Sequence, residues 1–249
     1  MENAPIINLV AMSITPEAGE RYDKWWDAAY GPMYVKNVGA RAIDRYRIVR
    51  KNLELPGTIT VFHHENLNRL QERAANPDRR ALVNDQQTWP IDWYWMGVYR
   101  LMRSFRCPGF TSGNMQDTIV DGVPVMYIEG YKLPPESNEK YAAWFARSAS
   151  RLYIPMLLKD TGVKCINCFR LLDYKLPNWE NVHFLEANLP QFMSIAYFEN
   201  LKDFEEYRGS VEYAIFKQSL DLEFSGNLKT IWNTEYQLLK SYRPQPGLK

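Results

Sequence analysis

The first half of the chain carries short apolar runs separated by longer segments with apolar positions at helical spacing. The run at residues 6–13 predicts a strand. Thr15, Pro16 and Glu17 then provide an N-cap candidate, a proline at the first helical position and an acid in the first turn, so a helix is expected to about Tyr34. The rest of this half predicts strands over 42–49, 57–64 and about 93–104, a helix over about 66–75, and a less regular stretch over 76–90.

The second half follows the same course, with predicted strands over 123–133, 163–174, 191–198 and 230–242 and helices over 136–156 and 201–222. Side chains recur with it: Tyr22, Trp25, Trp26, Pro32 and Met33 correspond to Tyr141, Trp144, Phe145, Pro155 and Met156. Self-similarity of this length indicates one folding unit used twice in tandem. We therefore predict a first unit at 1–105, a linker at 106–122, and a second unit with a C-terminal tail at 123–249.

The order of elements in each half, β-α-β-β-α-β, is that of the ferredoxin-like split βαβ motif. Its antiparallel sheet has both helices on one face, and the bare faces of two such sheets can cover each other. The sequence thus predicts an α+β protein of two tandem ferredoxin-like units, packed sheet to sheet around a pseudo-twofold axis as an internal pseudo-dimer. Polar side chains on the doubly covered strands would need partners, because burying them unpaired is costly.

Composition narrows the class of protein. Thirty basic and 29 acidic residues leave a net charge of +1, which gives no basis for a nucleic-acid partner. Three cysteines argue against a disulfide framework and for a reducing compartment. The sequence has no signal-peptide pattern and no apolar stretch as long as a membrane span, so we expect a cytoplasmic protein without a membrane partner. Aromatic residues make up 14% of the chain and predict aromatic cores or a cavity for an apolar ligand.

A motif on the first predicted helix continues into the following strand. It reads Trp25-Trp26-Asp27-Ala28-Ala29-Tyr30-Gly31-Pro32, then Val38-Gly39 and Arg45-Tyr46-Arg47. This resembles the dimeric α/β barrel superfamily, in particular its EthD-like members, which often show Trp-Tyr-Asp-x-Glu-His-x-Pro, then Pro-Gly-Phe and Arg-x-Tyr. The resemblance implies an intramolecular dimeric α/β barrel. Tyr30 stands at the superfamily's histidine, and Tyr153 is its equivalent in the second half.

The resemblance also implies kinds of activity. The superfamily includes cofactor-independent monooxygenases, polyketide cyclases, muconolactone isomerase-like proteins, and haem enzymes such as chlorite dismutases and aldoxime dehydratases. Chlorite dismutase-like chains carry tandem units at about this length, which makes haem an alternative to a cofactor-independent site. A haem needs one axial ligand, and His183, in the connection over 175–190, is a candidate.

Two adjacent histidines end the third predicted strand. His63 and His64 point to opposite faces of that strand, so at most one can line a given cavity. Imidazole is the natural proton shuttle near neutral pH, while a solvated strand end is the other interpretation. The second half has Tyr197 and Phe198 there. A catalytic histidine would therefore place the site in the first half.

Glu129 distinguishes the second half. It alternates with Tyr127 and Tyr131 on the first strand of that half, where the first half has Val10. A carboxylate on a doubly covered strand is either paired with an arginine or held in a cavity with a raised pKa. Arg170, on the second strand of the same half, is a candidate partner.

Other polar and aromatic residues are candidates for ligand binding. Asn167 is a second expected neighbour of Glu129. Arg45 either forms a salt bridge or binds a substrate carboxylate or enolate. Trp26 and Trp144 are either core residues or walls of a substrate cavity.

One hypothesis and two alternatives follow. The first is a cofactor-independent enzyme of lyase, isomerase or cyclase type that transfers protons on an aromatic or hydrophobic compound. Its candidate acids and bases are Tyr30, His63, His64, Glu129 and Tyr153, and its candidate substrate-binding residues are Trp26, Arg45, Tyr127, Trp144 and Asn167. The alternatives are a haem-dependent oxidoreductase or dehydratase and a protein that sequesters a hydrophobic metabolite. No motif for a metal site is present. The halves differ most at polar positions, so we expect one working site per chain, and a further homo-oligomer stays open.

Overall fold

The structure is a computed structural model that describes residues 3–50, 56–111, 117–179, 182–184, 189–224 and 226–244. Residues 112–116 of the predicted linker lie outside the described residues. Contacts divide the chain into unit 1 (Met1–Leu101, Leu172–Leu189 and Gln237–Lys249) and unit 2 (Met102–Leu171 and Pro190–Tyr236). The predicted unit boundaries concern the sequence repeat rather than these contacts, and they stay a prediction.

The strands follow the apolar runs closely. They are β1 (Ile6–Ile14), β2 (Ala42–Ile48), β3 (Thr58–His64), β4 (Ile91–Arg106), β5 (Val125–Lys132), β6 (Cys165–Leu171), β7 (Phe192–Phe198) and β8 (Lys229–Tyr242). The helices are α1 (Pro16–Trp25), α2 (Gly31–Met33), α3 (Leu67–Ala74), α4 (Pro77–Gln86), α5 (Asn138–Trp144), α6 (Ile154–Asp160), α7 (Leu201–Gly209) and α8 (Val211–Phe224). None of the described helices combines the length and apolarity that a membrane span requires.

In unit 1 the strand order is β4-β1-β3-β2-β8. β1 runs antiparallel to β3, with Ile6 opposite His64, and antiparallel to β4, with Ile6 opposite Arg100. β2 pairs antiparallel with β3, with Ala42 opposite His63. The two adjacent histidines therefore lie at the end of a central strand, between two neighbours.

In unit 2 the strand order is β8-β5-β7-β6-β4. β5 pairs antiparallel with β7, and Glu129 lies opposite Ser194. β6 pairs antiparallel with the other edge of β7, with Asn167 opposite Ile195. Glu129 is thus on a strand that has hydrogen-bonded neighbours on both sides.

Two long strands take part in both units. β4 has 16 residues and neighbours β1 and β6, and β8 has 14 residues and neighbours β2 and β5. The hydrogen-bonded order β1-β3-β2-β8-β5-β7-β6-β4 closes on itself as an eight-stranded barrel. The closed barrel agrees with the barrel that the family resemblance implies, and the construction from two tandem ferredoxin-like units packed sheet to sheet stays a prediction.

Two helices differ from the sequence prediction. Residues 77–86 form α4 rather than a less regular stretch: Asn76 caps this helix by accepting a hydrogen bond from Asp78 N (2.8 Å), and Pro77 begins it. The single helix predicted over 201–222 is divided into α7 and α8, because Ser210 has an extended backbone. Unit 2 therefore has two helices, α7 and α8, where the sequence predicted one.

The first helix of each half contains π-helical turns at corresponding places. α1 continues through the π-helical segment Trp26–Tyr30, and α5 continues through Phe145–Tyr153. Each of these segments ends at a tyrosine, Tyr30 or Tyr153, that the sequence analysis aligned with the histidine of the superfamily motif. Single π-turns within α-helices are frequent at functional sites.

Each unit has its own hydrophobic core, and aromatic rings dominate both. In unit 1, Trp26 and Tyr30 have ring centroids 4.4 Å apart, and Tyr34 lies 4.8 Å from Phe62. In unit 2, Tyr141 stacks on Phe192 at 4.0 Å. The aromatic content of the sequence is thus used largely in the two cores, as expected.

Candidate functional site

Unit 2 contains a cavity between its sheet and its helices. Its lining includes the side chains of Tyr127, Tyr131, Trp144, Cys168, Ser194 and Tyr207. The cavity has a volume of about 20 Å³, which is room for about one water molecule. A ligand of the size of an aromatic ring therefore requires the lining side chains to move apart.

Glu129 is 1% exposed and is hydrogen-bonded to Tyr127 and Tyr131, two of the side chains that line this cavity. Three phenols donate hydrogen bonds to its carboxylate: Tyr213 to Oε1 at 2.7 Å, Tyr127 to Oε1 at 3.1 Å and Tyr131 to Oε2 at 3.0 Å. The ammonium of Lys217 lies 3.3 Å from Oε1. These donors compensate the burial of a carboxylate, which would otherwise be costly.

The two oxygens of Glu129 have unequal surroundings. Oε1 accepts from Tyr127, Tyr213 and Lys217, whereas Tyr131 is the single described donor to Oε2. Tyr131 also lines the cavity, and Lys217 Nζ lies 3.4 Å from its hydroxyl. Tyr131 therefore links Oε2 of Glu129 to the wall of the cavity.

Tyr127 has more acceptors than protons. Its hydroxyl lies within hydrogen-bonding distance of Glu129 Oε1 (3.1 Å), Tyr213 Oη (3.0 Å) and Asn233 Oδ1 (2.8 Å), and Arg208 donates to it. A phenol has one proton and can donate to one of these acceptors at a time. The network consequently has more than one arrangement of protons.

The tyrosines around Glu129 carry their phenol proton at neutral pH and can therefore donate hydrogen bonds. Burial raises the pKa of Tyr127, Tyr131, Tyr207 and Tyr213 above the ordinary value of a phenol, and the nearby charge of Glu129 raises it further. We call Glu129, Tyr127, Tyr131, Tyr213 and Lys217 the carboxylate cluster.

Unit 1 has a smaller cavity, of about 10 Å³, at the corresponding place in the repeat. Its β1 wall is formed by Asn8, Val10 and Met12, which the repeat aligns with Tyr127, Glu129 and Tyr131. Val10 cannot carry out the acid–base chemistry of Glu129. The two cavities are therefore chemically different, as the sequence comparison of the halves predicts.

The first-half aromatic candidates lie in or near the core of unit 1. Tyr30 lines the cavity of unit 1, and burial raises its pKa well above the ordinary value. Trp26 is fully buried and donates from Nε1 to Tyr22 Oη at 2.8 Å. Arg45 pairs with Asp23 at 2.7 Å and lies over the ring of Trp26 at 4.7 Å. The structure thus gives Arg45 a salt bridge to the first helix.

Both histidines are buried, so the interpretation as a solvated strand end is wrong. β3 is a central strand, and its last residues are covered: His63 is 2% exposed and His64 0%. His63 Nε2 lies 3.0 Å from Asp44 Oδ2. His64 Nδ1 accepts from Arg73 at 3.2 Å, and burial, followed by the charge of Arg73, holds the pKa of His64 well below its usual value. His64 is therefore a neutral imidazole.

The expected neighbours of Glu129 are elsewhere. Asn167, which is fully buried, donates to the backbone oxygen of Thr118 at 3.4 Å. The guanidinium of Arg170 lies over the ring of Phe192 at 5.9 Å. The prediction that these two residues flank Glu129 is wrong, because the carboxylate faces α8 instead.

The remaining second-half candidates divide into two groups. Tyr127 and Trp144 line the cavity of unit 2 as predicted for substrate-binding residues, although no ligand contact tests that role. Tyr153 is only partly buried, and its ring lies 6.3 Å from that of Phe216. It is not among the side chains that line the cavity, so its predicted position at a cavity is not observed.

The sequence analysis did not predict three residues near Glu129, two of which belong to the carboxylate cluster. Tyr213 and Lys217 lie on α8 and Arg208 on α7, in a stretch that was assigned to a single helix. A signal was present, because Tyr213 and Lys217 are four residues apart and therefore on the same helix face. It could not be connected to Glu129 without knowing that α8 packs against β5.

The side chains around the two cavities do not fit a haem. The sequence of unit 2 contains no histidine. Burial raises the pKa of Cys168 and of the lining tyrosines Tyr127, Tyr131 and Tyr207, so the cavity offers a thiol and phenols rather than thiolate or phenolate ligands. His183 is exposed on its connection, and His63 and His64 contact Asp44 and Arg73. We derive no step through a haem.

Comparison with known proteins identifies the fold. No family model and no curated protein matches the chain. Among solved structures, a putative monooxygenase from Fusobacterium nucleatum subsp. nucleatum has a TM-score of 0.62 at 9% identity, covering 98% of this chain and 96% of that one. An anthrone oxidase-like protein has a TM-score of 0.61 at 11% identity, covering 96% and 92%. A mutant chlorite dismutase from Candidatus Nitrospira defluvii has a TM-score of 0.54 at 10% identity, covering 96% of this chain and 93% of that one. The chain is similar to these proteins in its α+β fold with a closed eight-stranded barrel, the dimeric α/β barrel.

Proposed function

We propose that the cavity of unit 2 and the adjoining carboxylate cluster form the active site of a cofactor-independent enzyme. This enzyme transfers protons on an aromatic or hydrophobic compound, as an isomerase, lyase or cyclase. The observation that carries this proposal is the position of Glu129: a buried carboxylate whose Oε2 is covered by one phenol, Tyr131, and that phenol lines the cavity. A base and an acid thus lie side by side at an aromatic-walled cavity.

The proposed step is a proton transfer between carbon and oxygen of a bound carbonyl compound. Tyr131 turns its hydroxyl from Glu129 Oε2 to the carbonyl oxygen of the ligand. Oε2 then accepts a proton from the adjacent carbon, the C–H electron pair becomes the C=C bond of an enol, and the carbonyl oxygen takes the proton of Tyr131. Two outcomes complete the step: Glu129 returns its proton to the carbon while the enol oxygen returns its proton to Tyr131, which restores the ketone, or Glu129 passes its proton to the Tyr131 phenolate, which releases the enol.

The rest of the cluster has a positioning role in this proposal. Tyr213 and Lys217 hold Oε1 at 2.7 and 3.3 Å, so the carboxylate stays in place when Tyr131 turns away. The fold likeness to proteins named as monooxygenase and anthrone oxidase-like supports a small-molecule enzyme. We also infer that the barrel is two ferredoxin-like units of EthD-like type.

The test is isotope exchange with aromatic ketones that carry a CH₂ group beside or conjugated to the carbonyl, anthrone among them. NMR in D₂O measures the rate at which that carbon exchanges hydrogen for deuterium. The wild-type protein should accelerate exchange over buffer. Glu129→Gln and Tyr131→Phe should lower the protein-dependent rate by about 100-fold or more, the usual contribution of a general acid or base.

Two variants control for unspecific effects. Glu206→Gln makes the same change at an exposed carboxylate, and Tyr141→Phe removes a phenol from the same cavity that makes no hydrogen bond to a described residue. Both should retain the wild-type rate. Tight binding of the ketones without accelerated exchange would replace the enzyme by a binding protein, and full activity of Glu129→Gln would remove Glu129 as the base.

A further inference from the structure

The cavity of unit 1 is lined by a buried arginine that has no counter-ion among the described residues. Arg79, on α4, is 2% exposed and lines this cavity. It makes no salt bridge to a described carboxylate. Arg45, an equally buried arginine of the same unit, pairs with Asp23 at 2.7 Å. Arg79 therefore departs from the rule that buried charges are paired.

The groups that Arg79 contacts are neutral. Its Nε donates to Tyr34 Oη at 3.2 Å, and its Nη1 donates to the backbone oxygens of Ala74 and Pro177, both at 3.3 Å. Burial raises the pKa of Tyr34 although Arg79 opposes this shift, so Tyr34 is an uncharged phenol at neutral pH. These contacts orient the guanidinium but leave its positive charge uncompensated.

Three further polar atoms of the same cavity have no partner among the described residues. They are Asn8 Oδ1, Thr60 Oγ1 and Trp179 Nε1, and the three residues are 4%, 0% and 7% exposed. Unpaired buried polar groups are rare in folded proteins because each costs free energy. Their convergence on one cavity with Arg79 indicates a missing ligand rather than separate local defects.

The chemistry of these atoms defines that ligand. The Arg79 guanidinium, the indole N–H of Trp179 and the hydroxyl of Thr60 are donors, and a neutral water cannot offset the charge of Arg79. A cavity of about 10 Å³ is close to the volume of one water molecule and excludes bulky anions. The ligand must be small, accept several hydrogen bonds and carry negative charge.

We propose that the cavity of unit 1 is a binding site for a monatomic anion, of the size of chloride. Arg79 supplies the opposite charge, and Thr60 and Trp179 donate hydrogen bonds to the anion. Asn8 donates from its amide nitrogen to the anion when the oxygen and nitrogen positions of the amide are exchanged. The site belongs to unit 1 and is separate from the carboxylate cluster.

Calorimetric titration of the full chain tests this proposal, with sodium chloride as the probe and sodium benzoate as the bulky control. We expect saturable binding of one chloride per chain and none of benzoate. Arg79→Gln should abolish binding. Thr60→Val, which keeps the shape of the side chain, should weaken it about tenfold, the loss expected for one hydrogen bond to a charged group.

Arg80→Gln is the matched control, because it removes the same charge from the adjacent exposed position. It should bind as the wild type does. If Arg79→Gln fails to fold, Thr60→Val and Trp179→Phe decide the question in its place. No saturable binding in the wild-type protein, or equal binding in Arg80→Gln and in the variants of the cavity, would overturn the proposal in favour of a buried water.

Discussion

Tyr213 donates a hydrogen bond of 2.7 Å to Glu129, although the two residues are 84 positions apart in the sequence. The bond joins α8 to the central strand β5 of unit 2. It is one of three phenol bonds to a carboxylate that is 1% exposed. The packing of α8 against the sheet and the environment of Glu129 are therefore parts of one arrangement.

Loss of this hydroxyl should destabilise the protein. Tyr213→Phe leaves Glu129 Oε1 with fewer donors, and we expect the free energy of unfolding to fall by about 1–3 kcal/mol. Urea denaturation measures the change. Tyr141→Phe is the control, because its hydroxyl makes no hydrogen bond to a described residue. Equal losses in the two variants would mean that the bond to Glu129 contributes nothing specific.

The sequence predicted the difference between the halves but not its chemistry. Aligning Glu129 with Val10 located the polar position correctly, because the two strands share one alternation of inward and outward side chains. Tyr213 and Lys217 escaped prediction, since their distance from Glu129 depends on how α8 packs and not on any local pattern. Arg79 escaped for a similar reason: its stretch was not assigned to a helix, although Asn76 and Pro77 signal one.

Asp44 should make stability depend on pH in acid. Burial raises its pKa, but the hydrogen bond and charge of His63 and the charge of Arg243 outweigh burial and lower the pKa from 3.8 to about 2. This contribution is present above pH 4 and is lost as pH falls through about 2. A shift of this size corresponds to about 2 kcal/mol.

Denaturation in urea between pH 2 and pH 5 measures this contribution. As the pH falls from 5 to 2, the free energy of unfolding of the wild-type protein should decrease by about 2 kcal/mol more than that of Asp44→Asn, which has no titrating group at this position. Parallel curves for the two proteins would show that Asp44 has the same pKa in the folded and unfolded chain.

Two glycines of the first helical region should respond oppositely to alanine. A Cβ at Gly31 would lie against the ring of Tyr242, less than 3.0 Å from three of its atoms, and that ring is held by core packing and by donation to Asp27. Gly31→Ala should therefore cost about 1–3 kcal/mol. Gly19, in α1, has nothing within 4 Å, so Gly19→Ala should stabilise by about 0.5–1 kcal/mol. Thermal unfolding of both variants checks the contrast, and shifts of the same sign would contradict it.

The fold itself was largely predictable at the level of strands, because each apolar run is long enough to fill one strand. The closed barrel was implied by the family resemblance and not by the apolar pattern, because closure depends on the lengths of β4 and β8. Both extend beyond one sheet, with 16 and 14 residues. An apolar pattern records which residues are buried, but not which partner covers them.

The final prediction concerns the ion pair between Glu129 and Lys217. Lys217 makes the only salt bridge of Glu129 with a described residue, and their side chains are 24% and 2% exposed. Lys217→Met leaves the carboxylate without its cation, and Glu129→Gln leaves the ammonium without its anion, so each single change should destabilise. The double variant has neither the carboxylate nor the ammonium, so no unpaired charge stays buried. The double variant should therefore lose about 1 kcal/mol less than the sum of the single losses, as measured by a double-mutant cycle in urea. The exposed pair Lys202 and Glu206, at 3.6 Å, should show no measurable coupling under the same changes. Additive losses at Glu129 and Lys217 would mean that the tyrosines alone hold the carboxylate.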